Sequence, residues 1–301
     1  EESYASGTVT GTGDNVGCLV GLIEGGETTN SYAIGDVEGT DNVGGLVGYT
    51  ESEIENSYAT GDVEGTDNVG GLVGYTDDDI TNSYATGNIT GTNEVGGLVG
   101  FTDNDVTNSY ASGTVTGTGT NTGGLVGFND DVTITNSFYD KTKNSTGMSD
   151  VEVSGIKGLT TTEMSYGGIY EGATWDIVAD STVTQNTPVI KYDSENDKYY
   201  WAIAPISLSY TLTDKTSTYN GNEQTLSSFF TKVTDIFGDD YSFLSGDYKF
   251  QKANEDVTGY KDAETYNNIK VASTNQFLTI KDSGNTDGKL TITPKAITVS
   301  A

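Results

Sequence analysis

Histidine and arginine are absent from this 301-residue chain, cysteine occurs once and proline three times. Without histidine there is no imidazole for general acid–base work, no His-ligated zinc and no Ser-His-Asp arrangement. The lone Cys18 cannot close an internal disulfide and has no basic neighbour in sequence to activate it, so it reads as a small buried side chain. No run of 18 apolar residues is present to cross a membrane as a helix. Positive charge is missing from residues 1–140, and the earliest basic residue is Lys141. Residues 1–140 carry 23 acidic side chains and a charge of −23, and the remainder, with 21 acids against 14 lysines, adds −7 to reach −30. Such a surface repels phosphate backbones and anionic lipid, so neither nucleic acid nor a membrane interior is expected as a partner.

Apolar residues make up 34% of the chain and glycine is abundant at 40 residues, a balance that on composition alone suggests disorder. A repeat argues the opposite. The phrase NSYATGDVEGTDNVGGLVGYT recurs through the first 140 positions, with the aromatic after serine at Tyr4, Tyr32, Tyr58, Tyr84, Tyr110 and Phe138. The leucine of GGLVG falls at Leu19, Leu46, Leu72, Leu98 and Leu125, in steps of 26 or 27. A fixed period of this size marks a solenoid, whose repeats bury an apolar face only by stacking.

Within the repeat at Ile54 to Tyr75, Ala59, Gly61 and Val63 alternate with Thr60, Asp62 and Glu64, the period of a strand with small residues turned in and acids turned out. Gly65 to Asn68 reads as a turn, Val69 to Tyr75 as a second strand with Leu72 as main filler, and Thr76 to Asp79 as the turn back. Two or three short strands per circuit make a parallel β-helix of about five coils. Identical residues then stack about 4.8 Å apart. Asn30, Asn56, Asn82, Asn108 and Asn136 form one such ladder, expected to bond amide to amide at a corner, and Thr40, Thr66 and Thr92 form another. The direction of the tyrosine ladder stays open: parity with Thr60 and Asp62 places it outside, parity with Ile54 inside.

At GGLVG, with NSYATG upstream, the sequence resembles the GLUG-motif repeats of large bacterial surface adhesins and hemagglutinin-like proteins, across residues 1–140. Cys18 replaces a glycine of the first copy and Thr122 a valine of the fifth. The phrases GLTTTEM, TWDIV and TPVIKY look like the segment that follows such repeats, so 141–204 is expected to cap the solenoid, with a capping box at Thr160 to Glu163 starting a short helix. The closing LTITPKAITVSA, with STYNG and DAETYNN before it, resembles the MBG-type domains strung along adhesins, which implies a small β-rich stalk module over 205–301. That module is either an immunoglobulin-like sandwich or a β-grasp with one helix, for which Phe230, Val233 and Phe237 supply a face. The chain opens in repeat register at Glu1 and stops in a strand-like run, Ala296 to Ala301, so both ends are expected to meet neighbours, as further domains or by strand addition.

The function implied by the resemblance is that of a secreted, extracellular cell-surface adhesin segment that adheres or spaces rather than catalyses. Its partner would be a glycan or protein on a host or neighbouring cell, or copies of itself. The alternative is a structural subunit of an extracellular filament. The repeated carboxylate pairs recur as decoration, whereas a glycosidase pair would be a unique break in the pattern, so no catalytic residue and no required cofactor are expected. A threonine array for ice is only one residue wide. Calcium is the one candidate ion, because hard cations need clustered oxygens. Its candidate ligands are Asp77, Asp78 and Asp79, Asp103 and Asp105 around Asn104, and Asp130 and Asp131 after Asn129, which occupy one turn in successive coils. The competing reading of these turns is a solvated acidic edge that blocks aggregation.

Overall fold

The computed structural model describes residues 2–130, 132–149, 153–210, 212, 214–220, 222–226, 248–257, 259–260, 262, 264–281 and 285–293. The expected helix over 227–237, both chain ends and Asp131 lie outside them.

The repeats form a parallel β-solenoid. Each coil carries five short strands rather than two or three; in the third they are Ile54–Glu55, Tyr58–Ala59, Val63–Glu64, Asp67–Gly70 and Val73–Thr76. Every strand pairs in parallel with its equivalents one repeat away, like residue on like residue. Tyr58 lies between Tyr32 and Tyr84, Val63 between Val37 and Ile89, and Val69 between Val43 and Val95. The backbone ladder runs through the interior as well, with Leu46 N–H donating to Leu72 O at 2.9 Å and Leu72 N–H to Leu98 O at 2.8 Å.

The corners explain why more strands fit than the composition suggested. A solenoid bend needs only one residue in the left-handed region, and each coil supplies two. Asn56 has φ of 49° and Asn68 also 49°, with their equivalents in neighbouring coils. The bend at Asn68 lies inside the strand Asp67–Gly70, so the expected four-residue turn shrinks to a single residue. The bend at Asn56 resets side-chain parity, which settles the tyrosine direction. Ile54 is buried inside, Ser57 is buried, Tyr58 points outward and Ala59 returns to the core. The tyrosines stack along the outside with ring centroids 4.8–5.3 Å apart from Tyr4 to Tyr110.

Each residue of the NSY phrase now has a physical role. The serine hydroxyl donates to the carbonyl two residues back, Ser57 Oγ to Glu55 O at 2.8 Å. It also accepts the serine N–H of the preceding coil, Ser31 N–H to Ser57 Oγ at 3.1 Å. The same bond repeats from Ser57 to Ser83, Ser83 to Ser109 and Ser109 to Ser137, so a fully buried polar column is satisfied along its length. The asparagine amides at this corner do not form the expected continuous ladder. Asn108 Nδ2 donates to Asn82 Oδ1 at 3.4 Å, and the Oδ1 atoms of Asn30 and Asn108 have no partner. The amide ladder stands at the other corner instead, where Asn42 Nδ2 donates to Asn15 Oδ1 at 2.7 Å and Asn68 Nδ2 to Asn42 Oδ1 at 2.8 Å.

The interior is thin. Leu46, Leu72, Leu98 and Leu125 are fully buried, facing the valines of Val43, Val69 and Val95 and the alanines of Ala59, Ala85 and Ala111. The paired glycines are required by this closeness: a Cβ on Gly71 would stand 2.2 Å from Gly97 O and 2.8 Å from Ala85 Cβ. In the first coil Cys18 takes this register, buried, with Sγ donating to Gly7 O at 3.3 Å.

The fifth coil is closed by the chain that follows. Ser137–Asp140 and Ile156–Leu159 extend the tyrosine sheet in parallel. Between them, Asn144, Thr146 and Gly147 serve the last coil's open backbone: Val115 N–H donates to Asn144 Oδ1 at 2.9 Å, Gly124 N–H to Thr146 O at 2.8 Å and Leu125 N–H to Gly147 O at 2.9 Å. The expected capping box forms at α1, Thr161–Met164, with Glu163 N–H donating to Thr160 Oγ1 at 3.1 Å and Thr160 N–H to Glu163 Oε2 at 2.7 Å. An antiparallel hairpin follows, Val189–Asp193 with Lys198–Ile203.

The chain divides into two compact units: Glu1–Ser165 with Ile169–Ile177 and Asn186–Ala202, and Tyr166–Gly168 with Val178–Gln185 and Ile203–Ala301. The second contains a five-stranded sheet in the order Lys215–Thr218, Gly288–Thr293, Thr265–Ser273, Tyr248–Lys252, Glu255–Val257. Its first pair is parallel and the others antiparallel, a mixed pattern that departs from the antiparallel sheets of an immunoglobulin sandwich. Leu226, Ile269, Leu290 and Ile292 are buried in this unit.

One coil breaks the corner rule. Glu94 occupies the register of Asn42 and Asn68 with φ of 47°, a conformation that costs a β-carbon residue roughly 1–2 kcal/mol and is tolerated best by glycine and asparagine. Asn121 Nδ2 donates to its Oε1 at 3.0 Å. Glu94→Asn is expected to keep an acceptor for Asn121, extend the amide ladder and remove one half-buried charge, raising stability by about 1 kcal/mol. Chemical denaturation checks this, and an unchanged or lower midpoint contradicts it.

Candidate functional site

Two outward features are candidates, the acidic turns and a groove beside the asparagine corner.

At the turns, the interior threonines hold the bend: Thr76 Oγ1 donates to Asp78 O at 2.8 Å and accepts Asp78 N–H at 3.1 Å, and Thr50 and Thr102 do the same in their coils. The carboxylates are also engaged. Asp77 accepts from Tyr49 Oη at 2.5 Å and Asp103 from Tyr75 Oη at 3.0 Å. Asp78 accepts Asp79 N–H at 2.8 Å, Asp79 accepts Asp105 N–H at 3.1 Å, and Asp105 accepts Thr133 N–H at 2.9 Å. Asp130 is exposed. Among the described residues no three acidic, histidine or cysteine side chains converge as a metal cage. Six of the seven candidate ligands thus lie on one edge and several serve as staples between coils; the seventh, Asp131, is outside the described residues. A second staple of the same kind was missed from sequence: Asp36 accepts Asp62 N–H at 2.9 Å and Asp62 accepts Asn88 N–H at 2.7 Å. Its signal was available, since an acid or amide recurs at 36, 62 and 88 in strict register.

Hydrogen bonding to Asp77 holds the Tyr49 hydroxyl well above the usual phenol range, and burial, then the bond to Asp103, does the same at Tyr75. Burial and the nearby Asp67 and Asp14 raise Asp41, and burial with Glu55 raises Glu53. At Glu163 burial acts upward but is outweighed by the Thr160 N–H and Lys141, 3.3 Å away, so its carboxyl falls below the usual range.

The groove lies within the solenoid unit. The hairpin is fastened over the outward tyrosines: Trp201 sits 5.8 Å from Tyr84 and 6.0 Å from Tyr110, and Trp175 packs 4.6 Å from Trp201. Tyr110 Oη donates to Pro188 O at 2.6 Å, and Trp175 Nε1 to Asn136 O at 3.0 Å. Tyr4, beyond the hairpin's cover, is 68% exposed, whereas Tyr84 is 2% exposed. Between the hairpin and the corner a cleft of about 640 Å³ remains. One wall is the row Asn30, Asn56, Asn82 and Asn108 with Thr29 and Glu55; the other is Lys198 to Trp201 with Thr174, Asp176, Ile190 and Asp197. Lys198 pairs with Asp176 at 3.4 Å. No sequence signal linked residues 174–201 to the asparagine ladder, because the hairpin folds back along the coils.

The profile of the GLUG motif matches residues 39–64, 65–90 and 91–116, so the chain carries GLUG repeats. No curated protein and no solved structure gives a significant match. No helix among the described residues is long and apolar enough to cross a membrane.

The pKa shifts fix two pH effects of opposite sign. Asp41 and Glu53, raised in the folded state, bind protons more tightly there than in the unfolded chain, so lowering pH from neutral through their raised values adds stability. Glu163, lowered in the folded state, contributes stability that is complete above the ordinary glutamate range and lost as pH falls through its folded value. Thermal melts are expected to show a midpoint that rises on mild acidification and falls below the carboxylate range, with Glu163→Gln removing part of the fall; a monotonic decline from neutral pH contradicts the assignment.

Calcium at the turns is a separate proposal, motivated by stacked carboxylates without basic partners. If the ion binds there, calorimetry gives heat and calcium raises the melting midpoint, with both effects lost in Asp78→Asn combined with Asp105→Asn. Absence of heat and of a shift leaves the solvated, stapled edge.

Proposed function

We propose that this chain is a non-catalytic segment of a secreted, cell-surface adhesin, in which the GLUG solenoid presents a repeated acidic surface for adhesion or spacing and the C-terminal module serves as an MBG-type stalk. The observation that carries this reading is the strict register of the coils. The same outward side chains return at every step of the stack, so one weak contact is offered several times on a stiff scaffold, and avidity follows from geometry without any single tight site. The non-catalytic part of the reading is supported by the carboxylates, which repeat from coil to coil and staple neighbouring backbones. The partner in this reading is a glycan or protein on a neighbouring cell surface.

The test is a bead assay. Beads coated with the purified chain should bind cell or extracellular-matrix surfaces in excess of albumin-coated beads. Beads bearing Leu72→Asp, which puts a charge at a fully buried position, should lose that excess. Equal binding of the chain and albumin across bacterial, animal and matrix surfaces contradicts adhesion.

A further inference from the structure

The geometry points to the cleft between the asparagine corner and the hairpin as a binding site for an extended, neutral, β-linked oligosaccharide, about one sugar per coil. This rests on the adhesion reading and names its ligand class.

Three observations carry it. The first is shape. The row Asn30, Asn56, Asn82 and Asn108 runs along the coil stack, so the cleft spans four coils at about 4.8 Å each. A volume of about 640 Å³ is in the range of small-ligand sites. The second is period. An extended peptide advances about 3.3 Å per residue and falls out of step with the coils. A β-linked hexopyranose chain advances by close to one coil spacing per unit, so equivalent hydroxyls meet equivalent amides at each step. The third is chemistry. The corner amides are largely uncommitted to one another, with a single 3.4 Å contact between Asn82 and Asn108; the Oδ1 atoms of Asn30 and Asn108 are buried, so the amides offer chiefly their Nδ2 donors to sugar oxygens. The opposite wall adds Tyr199, which lies on the same strand face as Trp201 and whose ring and hydroxyl suit a pyranose face and edge. The cleft's one cation, Lys198, is paired with Asp176, and Glu55 and Asp197 leave the walls net negative, which disfavours anionic sugars.

The experiment is calorimetry and NMR titration of the full chain with β-1,4-linked glucose and N-acetylglucosamine oligomers of two to six units, with trigalacturonate as the anionic control. Affinity should rise with length to about four units and then level. Tyr199→Ala should weaken binding at least tenfold. Asn82→Gly keeps the left-handed corner accessible while deleting the amide; it should weaken binding with the fold intact by circular dichroism. Phe101→Ala, on another face, should leave affinity unchanged. Binding of neither neutral series at millimolar concentration, indifference to length or to both cleft variants, or tighter binding of trigalacturonate overturns the proposal. Bead adhesion that survives Asn82→Gly would remove the cleft and leave the adhesion reading standing. Oligosaccharide binding without bead adhesion would do the reverse.

Discussion

Everything in the solenoid depends on one constraint: each backbone strand must hydrogen-bond to its own copy, one coil away, in register. Once Leu72 N–H is bound to Leu98 O and Tyr58 lies over Tyr32, every side chain is committed to a column of its own kind. A column of leucine or valine buries well. A column of polar groups is best satisfied when its members bond along the axis, and a column of charges is penalised at every step. The repeat therefore selects side chains that tolerate their own image. Serine meets this by donating within its coil and accepting from the coil before, and tyrosine meets it by stacking.

The acidic columns are the hardest case, and the structure shows how they are made tolerable. Aspartates at 36 and 62, and at 79 and 105, each take a backbone N–H of the next coil at 2.7–3.1 Å. A charge-assisted bond to N–H is roughly twice as strong as a neutral one. Each acid thus offsets part of the repulsion from its copy by closing a backbone group that the short strands leave open. Position 88 carries asparagine, whose backbone N–H and side-chain Nδ2 both donate to Asp62 Oδ1, which thins the column by one charge.

Period, interior leucine, small-residue face and the capping box at Thr160 were legible in sequence because each is a local pattern repeated or a short motif with its own mechanism. Strand number and tyrosine direction were not. Both turn on a left-handed residue at Asn56 and Asn68, and asparagine in a polar stretch reads equally as a turn of several residues or a bend of one. The reading of Asn30 to Asn136 as the bonded amide ladder failed for a related reason. Two asparagine columns exist, at 56 and 68, and only the side-chain direction at each corner decides which can bond along the axis. The groove was beyond sequence reasoning altogether, since it joins Asn30 to Tyr199 through a fold-back that no spacing announces.

The fold-back also explains why the chain changes style after Phe138. A solenoid that stacked tyrosine outward along its full length would expose a continuous aromatic stripe, a liability for association. Trp175 and Trp201 cover the stripe from Tyr84 to Phe138 and so turn an exposed ladder into a second small core. That core fixes the hairpin at the width of a tyrosine and a tryptophan above the sheet, while the neighbouring asparagine corner projects no large side chain to fill the space beneath its edge. The cleft is therefore a geometric consequence of stacking large residues beside small ones in adjacent columns. The coil spacing that sets the backbone ladder passes unchanged into the spacing of its floor.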